Sequence, residues 1–173
     1  MTFPLHAPAP LQVVAANGAL IPRLGLGTWQ STHDEGVRAV RAALDAGYRH
    51  IDTAARYENE QAVGQALAAC GVPRNDVFVT TKVWHTELHA ADFRRAAEAS
   101  VARLGLDHVD LLLVHWPNPE VPLEETIGAL NDAQRRGLTR HIGVSNFSVA
   151  LLDRAVALSP LPLVANQCEY HPY

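Results

Sequence analysis

Residues 110–114 read Asp110-Leu111-Leu112-Leu113-Val114, an apolar run without the polar alternation of a strand that has one wet face. Such a strand is buried on both faces, which is typical of a parallel sheet covered by helices. Similar short apolar runs occur at residues 23–27, 50–51, 77–81, 142–144 and 163–165. The sequence therefore predicts about six parallel strands.

Stretches with the apolar period of amphipathic helices separate these runs. They cover residues 34–46, 59–69, 90–104, 123–136 and 148–158. Four of them are followed by a glycine that we expect to cap the helix: Gly47, Gly71, Gly105 and Gly137. Near the start of the chain, Asn17-Gly18 stands between apolar runs at 11–14 and 19–21, and this dipeptide favours a hairpin turn. The alternation predicts one α/β domain, residues 1–173, with helical crossovers between strands.

The composition argues against several classes of partner. The formal net charge is -4 and charged residues make up 18% of the chain, which leaves no basic surface for nucleic acid or for an anionic membrane. No apolar run approaches the ~20 residues of a membrane span. His85 and His89 lie four positions apart but lack a glutamate directly after the first histidine, so we expect no metal site. These observations favour a cytoplasmic protein.

Polar residues stand where the predicted strands end. They are Asp52, Lys82, His115, Ser145 with Asn146, and Gln167. One such residue would mean little, because turns favour small polar side chains. In parallel α/β folds, and above all in (β/α)8 barrels, the carboxyl ends of the strands carry the chemistry. Five such positions in succession therefore predict one site.

Lys82 is the only lysine of the chain, beside thirteen arginines. An arginine keeps its proton, whereas a lysine ammonium is a compact charge that can tune a neighbouring group. Lys82 stands at the end of a strand that reads as buried, and a buried charge needs a partner. We therefore expect a carboxylate beside it. The alternative is that compositional drift left one lysine on the surface.

Asp52, Tyr57, Lys82 and His115 together supply a carboxylate, a phenol, an ammonium and an imidazole. A phenol is a poor proton donor near neutral pH, and a nearby ammonium improves it by favouring the phenolate. Asp52 would keep Lys82 charged, Lys82 would assist Tyr57, and His115 would orient a carbonyl. This set suits carbonyl reduction by a hydride donor. Taken singly, Asp52 could be a helix cap, Tyr57 a partly buried aromatic and His115 a core histidine.

Three stretches resemble the signatures of the aldo-keto reductase family: GYRHIDTAARYENE (47–60), DLLLVHWP (110–117) and GVSNF (143–147). A block from Asn166 to Pro172 is similar to a fourth. The resemblance implies a (β/α)8 TIM barrel closed at its bottom by an N-terminal hairpin. It also implies NADPH-dependent reduction of aldehydes and ketones, with Tyr57 as the general acid. Residues 59–74 are similar to the bacterial 2,5-diketogluconate reductase branch, which favours a keto-sugar acid or a small dicarbonyl as substrate.

The resemblance also implies roles for individual residues. The catalytic residues would be Asp52, Tyr57, Lys82 and His115. Ser145, Asn146 and Gln167 would contact the nicotinamide carboxamide, with Thr28 and Asp52 also at the cofactor. The substrate walls would be Trp29, Trp84, Trp116 and His115.

A barrel of this type takes ~250 residues and eight strands. The sequence reaches Tyr173 just after the sixth predicted strand, so we expect an incomplete barrel of the aldo-keto reductase type. We expect this chain alone to bind NADPH poorly and to turn over little, and the complete barrel to be a monomer. Two alternatives remain open. One is a non-catalytic fragment or a structural or regulatory barrel, and the other is a lyase that forms a Schiff base at Lys82.

Overall fold

The computed structural model describes residues 11–171. Strands β1 (Val13–Ala16) and β2 (Ala19–Pro22) form an antiparallel hairpin. Asn17 and Gly18 between them have φ of 46° and 90°, as a two-residue turn with the twist of a hairpin requires. The hairpin prediction is confirmed.

Six parallel strands follow, and each pairs with the next along the chain. They are β3 (Leu26–Gly27), β4 (His50–Asp52), β5 (Phe78–Val83), β6 (Val109–Val114), β7 (Thr139–Ser145) and β8 (Leu163–Gln167). The parallel sheet is thus confirmed. The first of these strands is shorter than predicted because the backbone N–H of Arg23 bonds to the carbonyl of Gln12, so residue 23 extends the hairpin instead.

Helices join the strands at the predicted positions, with bounds that differ by at most one residue. They are α1 (His33–Asp45), α2 (Glu60–Ala69), α3 (Ala90–Leu104), α4 (Leu123–Arg135) and α5 (Val149–Leu158). Gly47, Gly105 and Gly137 have positive φ just past their helices, as predicted. The prediction for Gly71 is wrong: α2 ends at Ala69, and Cys70 leaves it in an extended conformation (φ -82°, ψ 149°), so no left-handed glycine is needed.

Both faces of the sheet are buried, as the apolar pattern of β6 predicts. Leu112 and Val114 belong to the large cluster between sheet and helices, whereas Leu111 and Leu113 face a smaller inner cluster that also contains Ala19 of the hairpin. Asn17 donates a 2.7 Å hydrogen bond from Nδ2 to the carbonyl of Leu163, the first residue of β8. The hairpin therefore covers the inner face near the amino ends of the strands.

This arrangement is a half-barrel of six parallel strands with a bottom hairpin, as expected for an incomplete (β/α)8 barrel. Among residues 11–171, no helix has the length and apolar character needed to cross a bilayer.

Candidate active site

The predicted polar residues gather at the carboxyl ends of the strands. Asp52, Ser145 and Gln167 are the last residues of β4, β7 and β8, Lys82 is the penultimate residue of β5, and His115 directly follows β6. Because neighbouring parallel strands end at the same edge, these side chains share one mouth of the curved sheet.

Lys82 is buried at 1% exposure and has three acceptors around its ammonium. Its Nζ lies 2.5 Å from Asp52 Oδ1, 3.0 Å from the carbonyl oxygen of Thr53 and 3.3 Å from the phenol oxygen of Tyr57. A desolvated charge is tolerated where an opposite charge and further hydrogen bonds compensate it. The expected carboxylate partner is confirmed, and the alternative of a surface lysine is wrong.

Tyr57 reaches this ammonium from a short 3-10 turn, Ala55–Tyr57, directly after β4. The turn ends at Glu58 in the left-handed conformation, with φ 58°. The Lys82 Nζ lies 5.0 Å from the centre of the Tyr57 ring, and the edge-to-face contact of that ring with His115 has a centroid distance of 5.5 Å. The phenol therefore has a cation on one side and an imidazole on another.

His115 is a neutral imidazole at neutral pH. Burial, and after it the positive charge of Lys82, lowers the pKa of His115 from its ordinary 6.5 to about 4. Its Nδ1 is buried and has no hydrogen-bond partner among the described residues. A buried ring nitrogen without a partner carries an energetic cost, which is expected where a ligand would supply the missing bond.

A set of hydrogen-bonded polar residues lies along the same mouth, formed by Ser145, Asn146 and Gln167. The Ser145 hydroxyl donates to the Gln167 carbonyl at 2.8 Å, and Asn146 Nδ2 donates to the His115 carbonyl at 2.9 Å. Gln167 Nε2 donates to Asp52 Oδ2 at 2.8 Å. A carboxamide group presents one acceptor oxygen and two N–H donors. The Ser145 hydroxyl and the side-chain amides of Asn146 and Gln167 offer both the donors and the acceptors that fit such a group.

The three tryptophans are not placed alike. Trp84 packs against His115 with ring centres 5.0 Å apart and carries the Arg56 guanidinium 5.5 Å above its face. Trp84 and Trp116 line a common cavity of about 540 Å³, with residues of the 117–120 segment. Trp29 is not among the residues that line this cavity and is 69% exposed. The structure thus groups two of the three tryptophans that were predicted as substrate walls.

Thr28 lies at this mouth but is buried at 1% exposure. Its hydroxyl is 3.3 Å from both the carbonyl oxygen of Asp52 and Oδ1 of Asn59. Sequence reasoning missed Asn59, which directly precedes α2 and is 2% exposed. The sequence predicted a helix from residue 59 onwards, and the Asn59 side chain makes no hydrogen bond to the first turn of α2, so no local signal pointed to its bonds with other segments.

Two buried carboxylates outside the site were also missed. Glu60 accepts from the Thr81 hydroxyl at 2.5 Å and pairs with Arg103 at 2.7 Å. Asp110, at the amino end of β6, pairs with Arg74 at 2.8 Å and accepts from the Val79 backbone N–H at 2.9 Å. Both are compensated by cations, as buried charges are.

Comparison with known proteins agrees with this geometry. The model of the aldo/keto reductase family matches residues 23–173. Methylglyoxal reductase DkgB of Salmonella typhi is 45% identical over 156 residues, which cover 88% of this chain and 58% of that protein. A solved structure assigned as a 2,5-diketo-D-gluconic acid reductase B is 47% identical, with a TM-score of 0.92 over 94% of this chain and 58% of that one.

A Bombyx mori aldo-keto reductase, solved in complex with NADP, is 39% identical with a TM-score of 0.87, over 92% of this chain and 58% of its own. The chain thus spans 58% of the length of each of these three relatives. The match of the family model runs from the end of the hairpin through every strand that contributes to the mouth. On these grounds, the chain belongs to the aldo/keto reductase family.

Proposed function

We propose that the chain carries the proton-donating site of an NADPH-dependent reductase of aldehydes and ketones. The observation that supports this most directly is the buried series Asp52–Lys82–Tyr57, with contacts of 2.5 and 3.3 Å, beside a neutral His115. A phenol held against a desolvated ammonium is suited to give a proton and to remain as a stabilised phenolate.

The bound cofactor would supply the hydride to the carbonyl carbon. Tyr57 would donate its hydroxyl proton to the carbonyl oxygen as negative charge develops there, which leaves a phenolate next to Lys82 Nζ. Asp52 would hold the Lys82 ammonium in place. His115, neutral at neutral pH, would donate an N–H to the same oxygen and so orient the carbonyl.

Ser145, Asn146 and Gln167 would hold the nicotinamide carboxamide, with Thr28 and Asp52 beside it. Trp84 and Trp116 would bound the substrate cavity. The choice of NADPH is supported by the NADP in the Bombyx mori relative. The choice of a small dicarbonyl or a keto-sugar acid is supported by relatives named as methylglyoxal and 2,5-diketogluconic acid reductases.

The burial of Lys82 argues against the lyase. A Schiff base needs a neutral amine with access to a carbonyl, whereas this ammonium is 1% exposed and occupied by three acceptors. A non-catalytic barrel remains the competing outcome of the test below.

The test is Tyr57→Phe in the protein made from its complete gene, assayed with methylglyoxal and NADPH. We expect kcat to fall by about 10²–10⁴-fold, the contribution of a general acid, while the affinity for NADPH measured by fluorescence changes little. Tyr48→Phe, which removes a phenol remote from Lys82, is the matched control. Equal activity of the Tyr57→Phe variant, or no activity in the wild type, would contradict the proposal.

A further inference from the structure

Asn59 uses the full hydrogen-bonding capacity of its side chain in a buried position. Its amide nitrogen donates to the carbonyl of Thr28 at 2.7 Å and to that of Ser31 at 3.2 Å. Its oxygen accepts from the hydroxyls of Thr53 at 3.0 Å and Thr28 at 3.3 Å. Two donors and two lone pairs are all that an asparagine side chain offers. Asn59 therefore ties the turn after β3 to the segment after β4.

The segment after β4 contacts the Lys82 ammonium, and the turn after β3 bonds to Asp52. The Thr53 whose hydroxyl bonds to Asn59 also presents its carbonyl to Lys82 Nζ at 3.0 Å. Thr28, held by Asn59 from the other side, donates its backbone N–H to the carbonyl of Asp52 at 3.0 Å. Of the three acceptors of Lys82, Thr53 thus bonds to Asn59 directly and Asp52 is linked to it through Thr28.

We propose that Asn59 is a positioning residue: it fixes the Asp52-Thr53 segment around Lys82, and so the contact between Lys82 Nζ and the Tyr57 oxygen. The inference rests on the proposed function and adds to it a residue that touches neither substrate nor cofactor. Displacement of a catalytic group by ~1 Å can cost ~10²-fold in rate. A network that holds the acceptors of the ammonium in place therefore matters to the reaction as well as to folding.

Asn131 provides a matched comparison at a distance from the site. It is fully buried in α4, donates to the Ile127 carbonyl at 2.7 Å and the Ser159 hydroxyl at 2.9 Å, and accepts from the Leu161 N–H at 3.0 Å. Its partners lie in α4 and in the segment after α5, and none of them is a residue of the candidate site. Its loss reports what breaking such a network does to stability alone.

The experiment compares Asn59→Ala with Asn131→Ala in the protein made from its complete gene. Both variants should lose stability in urea denaturation. Only Asn59→Ala should lose kcat for methylglyoxal reduction, by about 10- to 100-fold, and more in kcat than in KM.

If Asn59→Ala does not fold, Thr53→Val decides, since it removes one bond to Asn59 and keeps the Thr53 carbonyl. A smaller loss of kcat than predicted for Asn59→Ala is then expected.

Turnover by both the Asn59 and the Thr53 variants equal to that of Asn131→Ala would overturn the inference and leave the proposed function standing. Absence of carbonyl reduction in the wild type would instead overturn the proposed function, and with it the inference that rests on it.

Discussion

Gln167 donates a 2.8 Å hydrogen bond to Asp52, although 115 positions separate them and their strands, β8 and β4, are not neighbours in the sheet. The bond crosses the mouth of the curved half-barrel. It engages Asp52 Oδ2, while Oδ1 faces Lys82. The carboxylate is therefore fixed from two sides, which holds the ammonium in one position.

This contact predicts a pH-dependent effect of Gln167→Glu. A second carboxylate beside Asp52 Oδ2 repels it when both are charged, so we expect the free energy of unfolding at pH 8 to fall by about 1 kcal/mol or more. At pH 5 one carboxyl more readily takes a proton and can donate a hydrogen bond, so the loss should shrink. Urea denaturation of the variant and the wild type at the two pH values measures this loss of unfolding free energy. Gln167→Ala, which adds no charge, should show no such pH dependence, and identical behaviour of the two variants would refute the prediction.

The two partners of the ion pair should differ in their effect on stability. Asp52→Asn leaves the Lys82 ammonium, 1% exposed, without its counter-charge, which should cost about 3–5 kcal/mol of unfolding free energy. Lys82→Met removes the buried charge and leaves Asp52, 16% exposed and still bonded to Gln167, so it should cost less. Urea denaturation at pH 7 compares the free energies of unfolding of the two variants. A Lys82→Met protein less stable than Asp52→Asn would contradict this order.

His115 should make the protein less stable in acid. Its pKa is lowered to about 4 from 6.5, so between these values the unfolded chain binds a proton more readily than the folded one. Stability therefore falls as the pH drops from about 6.5 to about 4. Burial also lowers the pKa of His50 and of His141, so part of this slope persists without His115. His115→Gln should flatten the dependence of unfolding free energy on pH between 4 and 7, and an unchanged slope would rule out this origin.

Gly64 should not tolerate alanine. A Cβ at this position in α2 would lie 2.4 Å from the carbonyl oxygen of Leu104 in α3. This oxygen belongs to the helix backbone, so it cannot move away as the end of a flexible side chain could. The two helices would have to move apart, at a cost of about 1–3 kcal/mol. Gly128 lies in α4 with no atom within 4 Å of such a Cβ, so Gly128→Ala should instead add up to about 1 kcal/mol through helix propensity. Thermal unfolding of both variants measures the contrast, and a stable Gly64→Ala would refute the close packing.

The signals that were readable from the sequence are local ones. The apolar run of β6, the amphipathic periods of the helices and the Asn17-Gly18 turn each depend on neighbours within a few residues, and the structure confirms them. The meeting of Asp52 with Lys82 also followed, because parallel strands end at one edge.

The rest depends on long-range contacts that no local pattern records. Arg23 was expected in a strand but pairs with Gln12, and Trp29, predicted as a substrate wall, does not line the cavity that Trp84 and Trp116 share. The Gln167–Asp52 bond depends on the curvature of the whole sheet. Asn59 was read as the start of a helix, and its four bonds to residues on separate segments could not be inferred from spacing.

The burial of Lys82 makes its side-chain amine a reporter of unfolding in a labelling experiment. The chain has one side-chain amine, and folding hides it almost completely. An acylating reagent that modifies lysines should leave this amine untouched in the native state and react with it once the strand is released. Mass spectrometry of the peptide that contains Lys82 would then give the fraction of opened molecules, without a fluorophore or an engineered tag.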